Sequence, residues 1–96
     1  MAGVATRAIR AIVTGDVQGV GFRWFVRERA RQLNLAGWVR NRDDGAVEAA
    51  VSGPADDVER LITLLRTGPR AAEVADVRVV DGSLEETYPV PFDIQR

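Results

Sequence analysis

The 96-residue chain contains no cysteine, no histidine and no lysine. Without cysteine there is no disulfide framework, no thiolate metal site and no cysteine nucleophile, and the composition fits a reducing compartment, so a cytoplasmic location is expected. The missing histidine removes phosphohistidine chemistry, imidazole general bases and imidazole metal ligands. The missing lysine removes Schiff-base chemistry and the lysine of Walker-type phosphate sites. All 13 cationic side chains are therefore arginine, a bias that fits a G+C-rich genome and carries no mechanism of its own. Aromatic residues make up only 6% and the formal net charge is −1, so no basic footprint for nucleic acid is present. No apolar run reaches membrane-spanning length and Met1 to Arg10 lacks the apolar core of a signal peptide, so no membrane partner is expected. Any chemistry must come from arginine, amides, hydroxyls and carboxylates.

A chain of this length is expected to form one domain over residues 1–96, with about residues 1–6 as a flexible N-terminus. Surface scaling gives burial of roughly 65% of the unfolded chain's area, enough for one modest core. Ile9, Ala11 and Val13 share one face of a first strand over about Arg7 to Gly15. A first helix over Phe22 to Asn34 places Phe22, Phe25, Val26, Ala30 and Leu33 on one stripe, with Arg27, Glu28 and Arg31 toward water. Asn34 suits the left-handed position that closes a helix. A second strand, about Ala36 to Arg42, and a third, about Ala46 to Ser52, flank the hairpin signal Asp43-Asp44-Gly45. Alternation in the third strand predicts one buried face, carrying Val47, Ala49 and Val51, and a solvent face carrying Glu48, Ala50 and Ser52. Parity puts Asn41 on the face of Val39, with Trp38 packed on the opposite face. Pro54, Asp56 and Asp57 open a second helix with Val58, Leu61, Ile62 and Leu65 inward, and Gly68-Pro69 ends it. A fourth strand is expected over Glu73 to Asp81, a connection over Gly82 to Val90, and a short closing strand over Phe92 to Gln95.

The order strand–helix–strand–strand–helix–strand is the split βαβ pattern of ferredoxin-like α+β folds. It predicts two helices on one face of an antiparallel sheet of order 4-1-3-2, with the fifth strand at an edge. The first strand, the glycine turn and the start of the first helix then meet part of the second strand at one corner.

That corner carries the stretch Gly15-Asp16-Val17-Gln18-Gly19-Val20-Gly21-Phe22-Arg23. Three glycines in seven residues let the backbone turn tightly and gather several N–H groups. The following helix adds its free amides and the positive end of its dipole. Arg23, on its first turn, adds a planar fork of donors. Together they form a site for a small oxyanion, with phosphate the obvious candidate. Asn41, taken by itself before Arg42-Asp43-Asp44-Gly45, reads as turn chemistry. Trp24 reads as a partly exposed helix residue, and Arg27, Arg29 and Arg31 as a solvated helix face.

These residues resemble the acylphosphatases, small hydrolases of carboxyl–phosphate bonds. The resemblance rests on Gly15 to Arg23 and on a second signature, Gly37-Trp38-Val39-Arg40-Asn41, followed by Gly45, Val47 and Gly53 at matching spacing. Gly53-Pro54 and the closing Pro91-Phe92-Asp93-Ile94 extend it over nearly the whole chain. Asp16 occupies a variable position and Asn34 replaces a frequent glycine. The absence of cysteine points to the free-standing, bacterial-type form rather than to a module of the larger hydrogenase maturation factors.

The resemblance implies Arg23 and Asn41 as the catalytic pair, and a phosphate cradle from the backbone amides of Asp16, Val17, Gln18, Gly19, Val20, Gly21 and Phe22. It further implies metal-independent, cofactor-free hydrolysis of small acyl phosphates, with inorganic phosphate or sulfate as competing anions. A monomer is expected. The leaving carboxylate has an ordinary pKa near 4 and departs without a proton, so the residues missing from this chain are not needed. The alternative reading is a non-catalytic phosphate- or ligand-sensing ferredoxin-like module, which has little use for a water-positioning amide at Asn41. An RNA-binding domain would want exposed sheet aromatics and a basic surface.

Overall fold

The computed structural model describes residues 5–95. Along the chain run β1 (Thr6–Asp16), α1 (Phe22–Gln32), β2 (Ala36–Asn41), β3 (Val47–Pro54), α2 (Ala55–Thr67), β4 (Glu73–Asp81) and β5 (Asp93–Ile94). Of the N-terminus expected to be flexible, Thr6 belongs to a strand and Ala5 O accepts from the Ala55 amide, while residues 1–4 lie outside the described residues. The sheet order is β4-β1-β3-β2-β5. All neighbours are antiparallel except β2 and β5, which pair in parallel at the sheet edge. This is the ferredoxin-like α+β arrangement with one added edge strand.

Register explains how the core and the site share one face. Asn41 stands opposite Val47, Val47 opposite Val13, and Val13 opposite Val77. The next row runs Val39, Ala49, Ala11, Val79. Val39, Val47, Val13 and Ala11 are fully buried beneath the helices, together with Phe22, Val26 and Ala30 of α1 and Val58, Leu61 and Leu65 of α2. Asn41 is the polar end of a row of valines, set on the helix-covered face as parity predicts.

The helices end where their sequences direct. Asn34 adopts a left-handed φ of 56°. Around it the Leu33 amide donates to Arg29 O and the Leu35 amide to Ala30 O, satisfying carbonyls the helix leaves free. At the end of α2 the Gly68 amide donates to Leu64 O, and Pro69 bars continuation.

The outer face of β3 departs from expectation. Ala50 is fully buried and Glu48 only 6% exposed, although simple alternation assigns both to solvent. β3 is a central strand, and long side chains from its neighbours close over it. Arg40 Nη2 lies 2.9 Å from Glu48 Oε1 and Arg10 Nη1 3.3 Å from Oε2. Both guanidinium groups also sit over the Trp38 ring, at 5.2 and 5.1 Å from its centroid. Trp38, on the face opposite Asn41 as expected, is buried beneath these two arginines.

Arg31 is exposed, as its place on the outer face of α1 leads one to expect, but it is not free. Arg31 Nε donates to Phe92 O at 2.7 Å, tying the helix to the C-terminal segment. Phe92 is fully buried, and the Gln95 amide donates to Val39 O. These contacts fix the edge strand against β2.

Candidate active site

β1 leaves the sheet through Gly15, where its pairing with β4 shifts register. Gly15 has φ 120°, and a Cβ there would fall on Glu73 O and within 2.6 Å of the Ala75 amide nitrogen. Only glycine permits this close exit. Gly19 and Gly21 follow with φ of 74° and 78°, yet a Cβ at either would meet nothing within 4 Å. Their requirement is therefore conformational: a left-handed residue immediately before the right-handed turn of α1 arranges successive N–H groups as a concave nest.

Among the described residues, no carbonyl or side chain accepts a hydrogen bond from the amides of Val17 through Trp24; the first backbone bond of the helix is from the Phe25 amide to Gly21 O. Nor does a side chain cap α1, and its first turn carries no acidic residue. α2 offers the contrast, since Asp56 and Asp57 sit in its own first turn and offset its dipole. The start of α1 keeps its positive potential and its free donors for an anion.

These groups open into a cleft of about 760 Å³, within the usual range of small-molecule sites. Gly19, Gly21, Arg23 and Asn41 line it together, so residues 18 positions apart in sequence meet at one surface. Val17 and Phe22 form its buried floor. Arg23 makes no ion pair with any described carboxylate, whereas Arg42 at the neighbouring hairpin is paired with Asp44 at 3.0 Å. The Asn41 side-chain oxygen Oδ1 is buried and has no hydrogen-bond partner among the described residues. A buried acceptor in that condition calls for a water or a ligand donor.

Of the residues whose amides are expected in the cradle, Asp16, Gln18 and Val20 are not among those lining the cleft. Asp16 is the last residue of β1, in register with Glu73, and does not line the cleft. Val20 packs against the core. Gln18 turns its side chain away toward the β2–β3 hairpin, where Nε2 donates to Arg42 O at 2.7 Å and to Ala46 O at 2.9 Å. This tether links the glycine loop to the strand end that carries Asn41, and sequence reasoning missed it. It also missed Trp24 and Ile94 as cleft walls. For Trp24 a signal existed: it lies off the apolar stripe of its helix, next to Arg23.

The hairpin itself is held by Asp44, whose Oδ1 accepts from the Ala46 amide at 3.0 Å. That backbone hydrogen bond, with the Arg42 guanidinium beside it, holds the Asp44 carboxyl below its ordinary pKa. No group of three or more acidic residues converges as metal ligands would among the described residues. No described helix is long and apolar enough to cross a membrane.

A family model described as acylphosphatase matches residues 9–94, which span β1 through β5 and both sides of the cleft. The chain belongs to the acylphosphatase family. An acylphosphatase of Koribacter versatilis is 57% identical over 76 residues, covering 79% of this chain and 69% of that protein. The crystal structure of acylphosphatase from Bacillus subtilis superimposes with a TM-score of 0.86 at 40% identity, covering 96% of this chain and all of the other. An acylphosphatase structure from Coxiella burnetii gives the same TM-score at 36% identity, covering 94% of this chain and 93% of that one. In the family setting, the cleft at the start of α1 is the candidate active site, and the fold agrees with that of its relatives along nearly its full length.

Proposed function

We propose that this acylphosphatase-family chain hydrolyses the carboxyl–phosphate bond of small acyl phosphates to a carboxylate and inorganic phosphate, without a metal ion. The observation that carries the reading is the meeting, in one cleft, of Val17, Gly19, Gly21 and Phe22, whose amides have no acceptor among the described residues, with Arg23, which pairs with no described carboxylate, and Asn41 Oδ1, which has no described partner. The amides and Arg23 hold the nonbridging phosphoryl oxygens and spread their charge. A water donates a hydrogen bond to Asn41 Oδ1 and keeps that proton; the bond aims the water's free electron pair at phosphorus in line with the leaving oxygen. The new P–O bond forms as the old one breaks, and the bonding pair leaves with the carboxylate. The water's other proton passes to a phosphoryl oxygen.

No general acid is required because the departing carboxylate is a weak base. Alkyl phosphate monoesters release an alkoxide, which does need a proton, and this site offers no acid to supply it. Inorganic phosphate and sulfate act as competing anions, since they present the same oxygens to the cradle. The loop after β1, α1, β2 and β5 together line the cleft, and a monomer is the proposed working form. The cysteine-free composition supports a cytoplasmic setting.

The test is hydrolysis of benzoyl phosphate and acetyl phosphate in the presence of a metal chelator, beside an alkyl monoester. Turnover of both acyl phosphates with none of the monoester is expected. Loss of activity in chelator, or strong monoesterase activity, would contradict the mechanism.

A further inference from the structure

Trp24 is 57% exposed and lines the cleft beside Gly21 and Arg23. The other large apolar side chains left exposed among the described residues, Val80, Leu84 and Val90, are not part of that cleft. Scattered surface hydrophobics are ordinary, but an indole beside the candidate anion site is placed to meet whatever the anion carries. Trp24 is also held: the Arg27 guanidinium, one helical turn from Arg23, lies 5.5 Å from its ring centroid. Arg27 in turn approaches Glu28 at 3.9 Å and keeps its side chain largely covered. An indole stacked on a cation loses less freedom on binding a ligand than an unsupported one.

The size of the cleft points the same way. A water takes about 30 Å³ of liquid volume, so a phosphoryl group and its attacking water fill only part of about 760 Å³. Beyond the polar groups the remaining open wall is apolar, formed by Trp24 and the half-buried Ile94. Apart from Asn41, no side-chain carboxylate or carboxamide lines the cleft among the described residues to receive a polar acyl group.

We infer that Trp24 is a specificity-determining residue, a shelf for the acyl group, and that the preferred substrates are acyl phosphates with a planar aromatic or similarly apolar acyl moiety. The inference rests on the acylphosphatase reading of the cleft. The phosphoryl end sits on the amides of Gly19 to Phe22, and the acyl carbon skeleton extends over the indole toward Ile94. The shelf acts on binding of the acyl part and leaves the in-line attack to Arg23 and Asn41.

The experiment compares kcat/KM for benzoyl phosphate and for acetyl phosphate in the wild type, Trp24→Ala and Trp24→Phe. Because the two substrates differ in intrinsic reactivity, the quantity read is the change in their ratio on substitution. The benzoyl-to-acetyl ratio should fall by roughly 3- to 10-fold in Trp24→Ala, the range an aromatic pair contributes. The change should lie mainly in KM, and Trp24→Phe should keep most of the wild-type ratio. Competitive inhibition by 2-oxo-2-phenylethylphosphonate should weaken in parallel, while inhibition by inorganic phosphate, which has no acyl group, should not. An unchanged ratio in an active, folded Trp24→Ala enzyme would overturn the shelf and leave the acylphosphatase reading standing. An equal loss of phosphate inhibition would overturn it too, because Trp24 would then be supporting the cradle. Failure of the wild type to hydrolyse either substrate would overturn both.

Discussion

Replacing Gln18 with leucine removes both hydrogen bonds between the glycine loop and the β2–β3 hairpin while keeping the side chain's bulk. The magnitude follows from the partners. Arg42 O also accepts from the Gly45 amide, and Ala46 O from the Arg42 amide, so neither carbonyl becomes fully orphaned. The loss is then two neutral bonds at about 0.5–1.5 kcal/mol each, without the larger penalty of a stranded polar group. A total of roughly 1–3 kcal/mol should lower Tm by about 4–24 °C in a domain of this size. The functional consequence should be larger than the loss of stability. Asn41 directly precedes Arg42, so a slack hairpin lets the amide drift relative to the cradle, and misplacement by about 1 Å can cost 10²-fold in rate. Thermal unfolding and steady-state kinetics on the same preparation test both parts. Well below the new Tm, kcat should fall by at least about tenfold. A Tm within about 2 °C of wild type, together with unchanged kcat, would refute the tether.

The remaining predictions concern charge. Arg23→Gln removes the only charged fork lining the cleft among the described residues. Because charged hydrogen bonds contribute about 1.5–3 kcal/mol each, inorganic phosphate affinity and turnover should both drop by at least tenfold in a folded protein; near-normal values would make Arg23 a surface residue. Asp44 is held below its ordinary pKa of 3.8 first by the Ala46 amide and then by Arg42. A depressed folded-state pKa means its contribution to stability is present above about pH 4 and fades as pH falls through the folded value. An NMR titration should find the Asp44 carboxyl titrating below 3.8, and titration at or above that value would contradict the hairpin geometry.

Local chemistry made much of this fold legible. α2 is bounded by residues that cannot continue it, and Glu73 to Asp81 carries a clear strand pattern, so both elements lie within a residue of where the sequence places them. Asn41 could be assigned to the helix-covered face because strand parity admits only two answers. The hidden features all depend on distant partners. Glu48 reads as a solvent residue until Arg10, 38 positions away, and Arg40 close over it. The Gln18 side chain bonds to backbone carbonyls 24 and 28 positions on, and such acceptors exist at every residue, so no sequence signal marks them. Ile94 reaches the cleft through a two-residue parallel strand, too short to show any period. Arg31 is the exposed helix residue it reads as, and its bond to Phe92 O, 61 positions on, is what the sequence does not mark. The glycine loop was conspicuous because its requirement is local, a backbone conformation that few residues other than glycine adopt.

The division of labour between Arg23 and Asn41 is the central claim, and Asn41→Ala tests it most directly. If Asn41 Oδ1 orients the attacking water and the amides and Arg23 hold the phosphoryl group, truncation should lower kcat by about 10²–10³-fold, the usual effect of losing one such orienting group. Inhibition by inorganic phosphate should stay near the wild-type value. Measured on a folded variant with benzoyl phosphate as substrate and phosphate as inhibitor, a collapse of kcat with retained phosphate affinity is the predicted result. A folded Asn41→Ala enzyme with normal kcat, or one that loses phosphate affinity in proportion to rate, would contradict it.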